Sequence, residues 1–92
     1  MPTPIVFDAA KRELTLQERG LDMERGNEVI EDRHLTVQDT RQDYGEIRNI
    51  TIGFIDGRMV VMVWTPRGSA IRVISLRKAN ERERILYSPR FS

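Results

Sequence analysis

The first part of the chain has the hydrophobic pattern of helices. Residues 5–7 form a short apolar run that predicts a brief strand, and Asp8 follows as a residue that commonly caps a helix. Ala10 and Leu14 are four residues apart, which is the spacing of one helix face, and Gly20 is typical of a helix end. This pattern predicts a first helix between Asp8 and Gly20.

A second short helix is predicted after Gly20, because Asp22 is a further capping residue. The residues of its apolar stripe are Met23, Gly26, Val29 and Ile30, spaced i, i+3, i+6 and i+7. Two helices are therefore predicted before residue 34, where the period of the hydrophobic pattern changes.

From residue 34 onward, apolar and polar residues alternate with a period of two, as they do in β-strands. The predicted strands are 34–39, about 46–55, 59–64 and 70–76. The pair Asp56-Gly57 favours a tight hairpin with positive φ at both residues, and residues 66–68 predict another turn. Consecutive tight turns imply an antiparallel meander of about four strands.

The chain is predicted to close with a helix that starts at Asn80, with Glu83 at the spacing of a capping box. The predicted order is β-α-α-β-β-β-β-α. This is an α+β fold in which helices pack on an antiparallel sheet. A chain of 92 residues favours a single domain over 1–92.

Composition excludes several classes of protein. There is no cysteine, which excludes a disulfide-stapled secreted scaffold, a thiolate metal site and a cysteine nucleophile. His34 is the only histidine, and the chain has no metal-ligand spacing or cofactor motif, so neither a metal nor a cofactor is expected. No segment has the roughly 18 apolar residues that span a membrane, and residues 1–4 lack signal-peptide features. We therefore expect no membrane association and a cytoplasmic location.

Charge is distributed unevenly along the chain, although the net charge is only +1. Residues 1–57 carry seven Lys/Arg and twelve Asp/Glu, a net charge of −5, whereas residues 58–92 carry eight and two, a net charge of +6. Such asymmetry can focus a positive field on one surface. It is compatible with RNA or with an acidic protein partner.

The last predicted strand carries two arginines among aliphatic neighbours. In a regular strand Arg72 shares a face with Ile74 and Leu76, and Arg77 lies on the opposite face. A half-buried arginine has to reach solvent, pair with a carboxylate or bind an anion. Glu46 is the predicted partner of Arg72, and a structural Glu–Arg bridge is the alternative to anion binding.

Arg48, Arg77 and Lys78 are predicted to gather near one end of the sheet, where their charges suit a phosphate. A ribonuclease needs such cations, an acceptor for the ribose 2′-hydroxyl proton and a donor for the leaving 5′-oxygen. Glu46 is the candidate acceptor, although arginines around it weaken it as a base. Tyr87 is a candidate donor that also suits packing under the last helix. A solvated charged face is the alternative interpretation.

Two other side chains have chemistry that RNA enzymes use. His34 is expected to face solvent on the polar side of its strand, far from the basic segment. Trp64 lies in an apolar strand and is expected in the core, with stacking on an RNA base as the alternative.

The order of these elements resembles the BrnT toxin family over about residues 5–88. The matching elements are Phe7-Asp8, Ala10-Lys11, Gly20-Leu21, residues 29–32, Glu46 and Arg48, Thr51-Ile52-Gly53, Gly57-Arg58, residues 71–79, Glu83 and Tyr87. Residues 71–79 are the most specific of them. The resemblance implies a RelE-like fold and a ribonuclease activity that stops translation.

The resemblance also implies a partner, a BrnA-like ribbon-helix-helix antitoxin that blocks the toxin. The complex would repress the shared operon, so operator DNA would be contacted only through the complex. The implied site residues are Arg48, Arg72, Arg77 and Lys78 on the phosphate, Glu46 orienting them or accepting a proton, and Tyr87 as a candidate proton donor.

The chain departs from the family at two places. Phe7 stands where Trp is often found, and Glu18-Arg19-Gly20 stands where Lys-His-Gly is common. If that histidine is catalytic, this chain lacks it. Two functions therefore stay open: a metal-independent endoribonuclease silenced by its antitoxin, and a catalytically weak or inactive homologue that acts as an antitoxin-binding co-repressor.

Overall fold

A computed structural model describes residues 3–91. Met1, Pro2 and Ser92, which complete the predicted domain, lie outside the described residues. The elements are, in chain order, β1 (Ile5–Val6), α1 (Ala9–Arg19), a 3-10 helix (Met23–Arg25), α2 (Gly26–Glu31), β2 (Leu35–Gln38), β3 (Asn49–Ile55), β4 (Arg58–Arg67), β5 (Ala70–Lys78), α3 (Glu81–Tyr87) and a second 3-10 helix (Ser88–Phe91). The predicted α+β class is confirmed.

Five strands form one mixed sheet in the order β1-β5-β4-β3-β2. Strands β2 to β5 form an antiparallel meander, whereas β1 pairs parallel to β5, with Ile5 opposite Ile71 and Val6 opposite Arg72. The expectation of a purely antiparallel sheet is therefore wrong. A parallel pair is joined by a long connection, which leaves no tight-turn signal in the sequence.

Local signals define most element boundaries. The Asp8 side chain caps α1, and Gly20 ends it in the left-handed conformation at φ 67°. Residues 56 and 57 both have positive φ, as the hairpin signal requires. Asn80 and Glu83 form the predicted capping box at the start of α3. Each of these features was predicted because it depends on neighbouring residues only.

The two faces of the sheet are covered by different helices. We call the side covered by α1 and α2 the α1 face; its buried core is Leu21, Met23, Val29, Ile55, Val60, Met62, Ile71, Val73 and Leu76. The opposite side is the α3 face; its buried core is Ile52, Met59, Val61 and Ala79, with Tyr87 and Phe91 packed against it. The second core is smaller, so part of the α3 face stays open.

Helix α1 is attached differently from the prediction. Ala10 and Leu14 lie on its exposed side, and Thr15 is its buried residue. Lys11 and Arg19 donate side-chain hydrogen bonds to backbone carbonyls of β5, at 3.0 and 2.9 Å. Helix α1 is therefore held against β5 partly by these two cationic side chains. Hydrophobic spacing does not predict a helix face that contacts the sheet through lysine and arginine.

Candidate functional site

A β-bulge decides on which face Arg72 lies. The pairing of β4 with β5 shifts register after Val63, which leaves Ile74 as an extra residue. Both neighbours of Arg72 belong to the core beneath α1, so Arg72 projects from the α3 face. It therefore shares that face with Arg77, and the predicted grouping of Arg72 with Ile74 and Leu76 is wrong. The extra residue of a bulge reverses which side of the sheet the following residues face. Its position depends on how the strand pairs with its partner, so the sequence of β5 alone does not reveal it.

Glu46 and Arg48 lie in the connection between β2 and β3, because β3 begins only at Asn49. The Arg67 Nη1 donates to Glu46 Oε2 at 3.1 Å, so the predicted Glu46–Arg72 pair is wrong. The connection carries Glu46 to the end of β4, where Arg67 is within reach. Among residues 3–91, half-buried Arg72 forms no ion pair.

Arg48 is held with its guanidinium partly out of solvent. It continues the alternation of β3 on the side of Ile52, the α3 face. Its guanidinium carbon lies 4.0 Å from the centre of the Tyr44 ring, which is a cation–π contact. Its Nε is shielded from solvent and donates no hydrogen bond, and the nearest carboxylate oxygen, Glu46 Oε1, is 3.9 Å away. An acceptor supplied by a ligand would relieve this cost.

A buried carboxylate orders the connection that carries Arg48. The Asp39 side chain is 1 % exposed and accepts hydrogen bonds from Arg41 Nε, Arg41 Nη2 and the Tyr44 hydroxyl at 2.9, 2.8 and 3.0 Å. These bonds hold the pKa of Asp39 well below its usual value. Asp39 thus fixes Tyr44, whose ring supports Arg48. The sequence prediction missed this network, although an Asp that ends a strand just before Arg41 was a usable signal.

Arg48 and Arg72 flank the end of β4. Asn49, which follows Arg48, pairs with Trp64, and Arg72 pairs with Thr65, the next residue of β4. The two arginine backbones are therefore two strand spacings apart, roughly 10 Å. Arginine side chains are long enough to reach one anion across that gap. Thr65 is buried, so the surface between the two arginines has a closed floor.

Arg77 lies on the same face but carries its own carboxylate. Its Nη1 and Nη2 donate to Glu83 Oε1 and Oε2 at 2.7 and 2.8 Å. The same carboxylate accepts from the Asn80 backbone N–H at 2.9 Å, so the ion pair joins β5 to the start of α3. Along β5, Arg77 is roughly 15 Å from Arg72. The charged residues of the α3 face therefore form two groups, one with Arg48 and Arg72 and the other with Arg77 and Glu83.

A hollow on the α3 face is apolar at its floor and charged at its rim. The hollow on the α3 face has a volume of about 400 Å³. Its floor and walls are Val37, Ile50, Ile52, Val61, Val63 and Ser75, and its rim carries Arg41, Arg77, Glu83 and Tyr87. An apolar floor with a few polar groups is typical of ligand sites.

The Arg77–Glu83 pair predicts how stability depends on pH. Hydrogen bonds from Arg77 lower the pKa of Glu83 from 4.5 to about 2. The depressed pKa means that the pair stabilises the fold above pH 4.5 and that this contribution is lost as pH falls toward 2. Because the Arg77 side chain is 42 % exposed, we expect the contribution to be no more than about 1 kcal/mol. Glu83→Gln should flatten the acid limb of the unfolding free energy measured by urea titration.

Glu81→Gln is the matched control for that measurement, because it removes an acidic group from the same turn of α3 and leaves the ion pair intact. An acid limb that is as steep in Glu83→Gln as in the unmodified protein would contradict the prediction.

The remaining predicted residues lie elsewhere. Lys78 pairs with Val60 of the α1-face core, so it projects away from Arg77, and its predicted gathering with Arg48 and Arg77 is wrong. Successive residues of a strand point to opposite sides. Trp64 packs against the α1-face core, and His34 is exposed, both as predicted.

The family comparison agrees with these elements. The family model described as the ribonuclease toxin BrnT of type II toxin–antitoxin systems matches residues 7–83. The chain belongs to the BrnT family. The match includes both arginines that flank β4 and ends at Glu83. No curated protein matches the chain.

Membership of the BrnT family identifies the chain as a ribonuclease toxin of a type II system, with RNA as its target and an antitoxin as its partner. Among residues 3–91, no helix is long and apolar enough to cross a membrane.

Proposed function

We propose that this BrnT-family chain is a metal-independent endoribonuclease of RelE-like fold that acts as one domain on cytoplasmic RNA and inhibits translation. The scissile phosphate would lie on the α3 face between Arg48 and Arg72. A BrnA-like ribbon-helix-helix antitoxin would cover this face, and the complex would repress the shared operon.

One observation carries the proposal. Arg48 and Arg72 project from the same sheet face on either side of buried Thr65. Within residues 3–91 Arg72 forms no ion pair, the ion pair of Arg48 with Glu46 is long at 3.9 Å, and neither arginine donates a hydrogen bond to a carboxylate. Arginines whose only function is structural normally have such a partner when they are half-buried. Arg77 shows the contrast, because Glu83 occupies its guanidinium.

The reaction is the attack of the ribose 2′-oxygen on the adjacent phosphorus. The 2′-O–P bond forms, the P–5′-O bond breaks, and a 2′,3′-cyclic phosphate remains. Arg48 and Arg72 would stabilise the charge that develops on the phosphoryl oxygens. Glu46, which is close to Arg48, would accept the 2′-hydroxyl proton. Tyr87, the donor predicted from the sequence, lines the hollow beside Arg77 and not the arginine pair, so solvent water would supply the proton to the 5′-oxygen.

Purified protein tests the proposal directly. We expect cleavage of RNA in the presence of EDTA, with 2′,3′-cyclic phosphate ends detected on the products by mass spectrometry. Loss of cleavage on chelation, with recovery when Mg²⁺ is restored, would contradict a metal-independent reaction. A product with a 3′-hydroxyl end would contradict attack by the 2′-oxygen.

A co-repressor without activity is the second candidate function. Arg19, at the position where histidine is common in the family, is bound to the Leu76 carbonyl of β5. Induction of the chain alone in bacteria separates the two functions. Growth arrest with fragmented RNA supports the enzyme, whereas normal growth and a tight antitoxin complex support the co-repressor. We also expect a short overlapping downstream gene that encodes a ribbon-helix-helix protein.

A further inference from the structure

A second positively charged surface lies at the end of the sheet formed by the β3–β4 turn. Here a hollow of about 590 Å³ is lined by Arg58, Lys78 and Arg84, together with Asp56 and the uncharged residues Gly57, Met59 and Ala79. We call it the turn-end hollow. It is separate from the α3-face hollow, whose rim carries Arg77.

The only acidic side chain of the turn-end hollow is already occupied. Arg25 Nη1 and Nη2 donate to Asp56 Oδ2 and Oδ1 at 2.8 and 2.7 Å. By contrast, Arg58, Lys78 and Arg84 form no ion pair with any residue between 3 and 91. The lining therefore presents three cations without a carboxylate of their own.

The geometry of the cations suits an anion. Lys78 pairs with Val60, and Arg58 lies two residues before Val60, so Arg58 and Lys78 are diagonal neighbours on adjacent strands, roughly 7 Å apart. Like charges at this spacing repel each other unless an anion lies between them. Arg84 Nη1 donates to the Ala79 carbonyl at 2.9 Å, which holds the guanidinium at the rim with its other N–H groups free.

We propose that the turn-end hollow binds backbone phosphates of the RNA substrate, away from the phosphate that is cleaved. The inference rests on the proposed function, because it takes RNA as the polyanion. Lys78 is roughly 20 Å along β5 from Arg72. The RNA strand would run from Arg72 past Arg77 to Arg58 and Arg84. Lys78, which does not project from the α3 face, would then contact a phosphate of the RNA.

The salt dependence of RNA binding tests this site without requiring cleavage. For the double variant Arg58→Gln/Arg84→Gln, each lost phosphate contact should reduce the slope of log K against log salt concentration by about 0.7 for single-stranded poly(U). The double variant Arg82→Gln/Arg90→Gln removes the same charge from exposed positions outside the hollow and should keep the original slope. Arg58→Lys/Arg84→Lys should restore most of the lost slope, and thermal unfolding checks that all variants fold.

Cleavage kinetics separate this inference from the proposed function. We expect the Arg58→Gln/Arg84→Gln variant to raise KM about tenfold on long RNA with kcat unchanged, and to cleave an RNA too short to reach the hollow normally. Equal salt slopes for the two glutamine double variants would overturn the inference. It would also be overturned if the Arg58→Gln/Arg84→Gln variant lost affinity for the antitoxin and kept its affinity for RNA. If the unmodified protein binds poly(U) but cleaves no RNA, the proposed function fails while the slopes still test the hollow.

Discussion

Replacing Arg72 by glutamine should lower kcat for RNA cleavage by about 10²–10³-fold, the loss seen when a preorganised charge-stabilising donor is removed. Glutamine keeps polarity and much of the length, so it isolates the charge and the two-pronged donor geometry of arginine. Arg72 forms no ion pair with another described residue, so its removal leaves no carboxylate exposed and should change stability little. Single-turnover cleavage of a labelled RNA measures the effect.

Arg90→Gln is the control, because Arg90 is an exposed arginine on the 3-10 helix after α3. It should cleave RNA at the original rate. Arg72→Lys should recover part of the activity, since lysine restores the charge without the planar fork. An Arg72→Gln protein that folds normally and keeps its kcat would show that the phosphate does not lie between Arg48 and Arg72.

Gly53→Ala should destabilise the fold by about 2–3 kcal/mol, as expected when an atom is forced into a packed interior. A Cβ at Gly53 would come within 2.6 Å of Val29 Cγ1 and 3.0 Å of the Val29 carbonyl oxygen. Helix α2 therefore lies directly against the β3 backbone. Since domains of this size have a stability of roughly 5–15 kcal/mol, the loss is large. Thermal unfolding should show a midpoint lower by roughly 10 °C or more.

Gly26→Ala provides the comparison. A Cβ there would lie 3.0 Å from Val73 Cγ2 and 3.1 Å from Met62 Sδ, which are side-chain atoms that can shift. Gly26 is the first residue of α2 with φ −57°, and alanine favours a helix by about 1 kcal/mol over glycine. The two effects should nearly cancel. A Gly53→Ala midpoint equal to that of Gly26→Ala would show that α2 moves away from β3 at little cost.

The α3 face also explains why its polar residues lie in separate groups. One group, around Arg48, is ordered by a loop whose buried Asp39 binds Arg41 and Tyr44. The other, around Arg77, is ordered by the capping carboxylate of α3. Between them lies the apolar floor of the α3-face hollow. Each group is therefore positioned by its own local element and both face one surface.

The features that the sequence alone determined are local ones. The caps at Asp8, Gly20 and Asn80 and the turn at 56–57 depend on residues within a few positions of one another, and the alternation from residue 34 identified the strands of the meander. The charge excess of residues 58–92 was equally evident. The arginines of the α3 face were identified as candidates, but their grouping was not.

Only the tertiary structure decided which candidates meet. The extra residue at Ile74 moved Arg72 to the face of Arg77, and the connection before β3 brought Glu46 to Arg67. Each outcome depends on how one strand pairs with another, or on where a connection crosses the sheet. Such pairings join residues far apart in the chain, so the pattern within any single segment does not contain them.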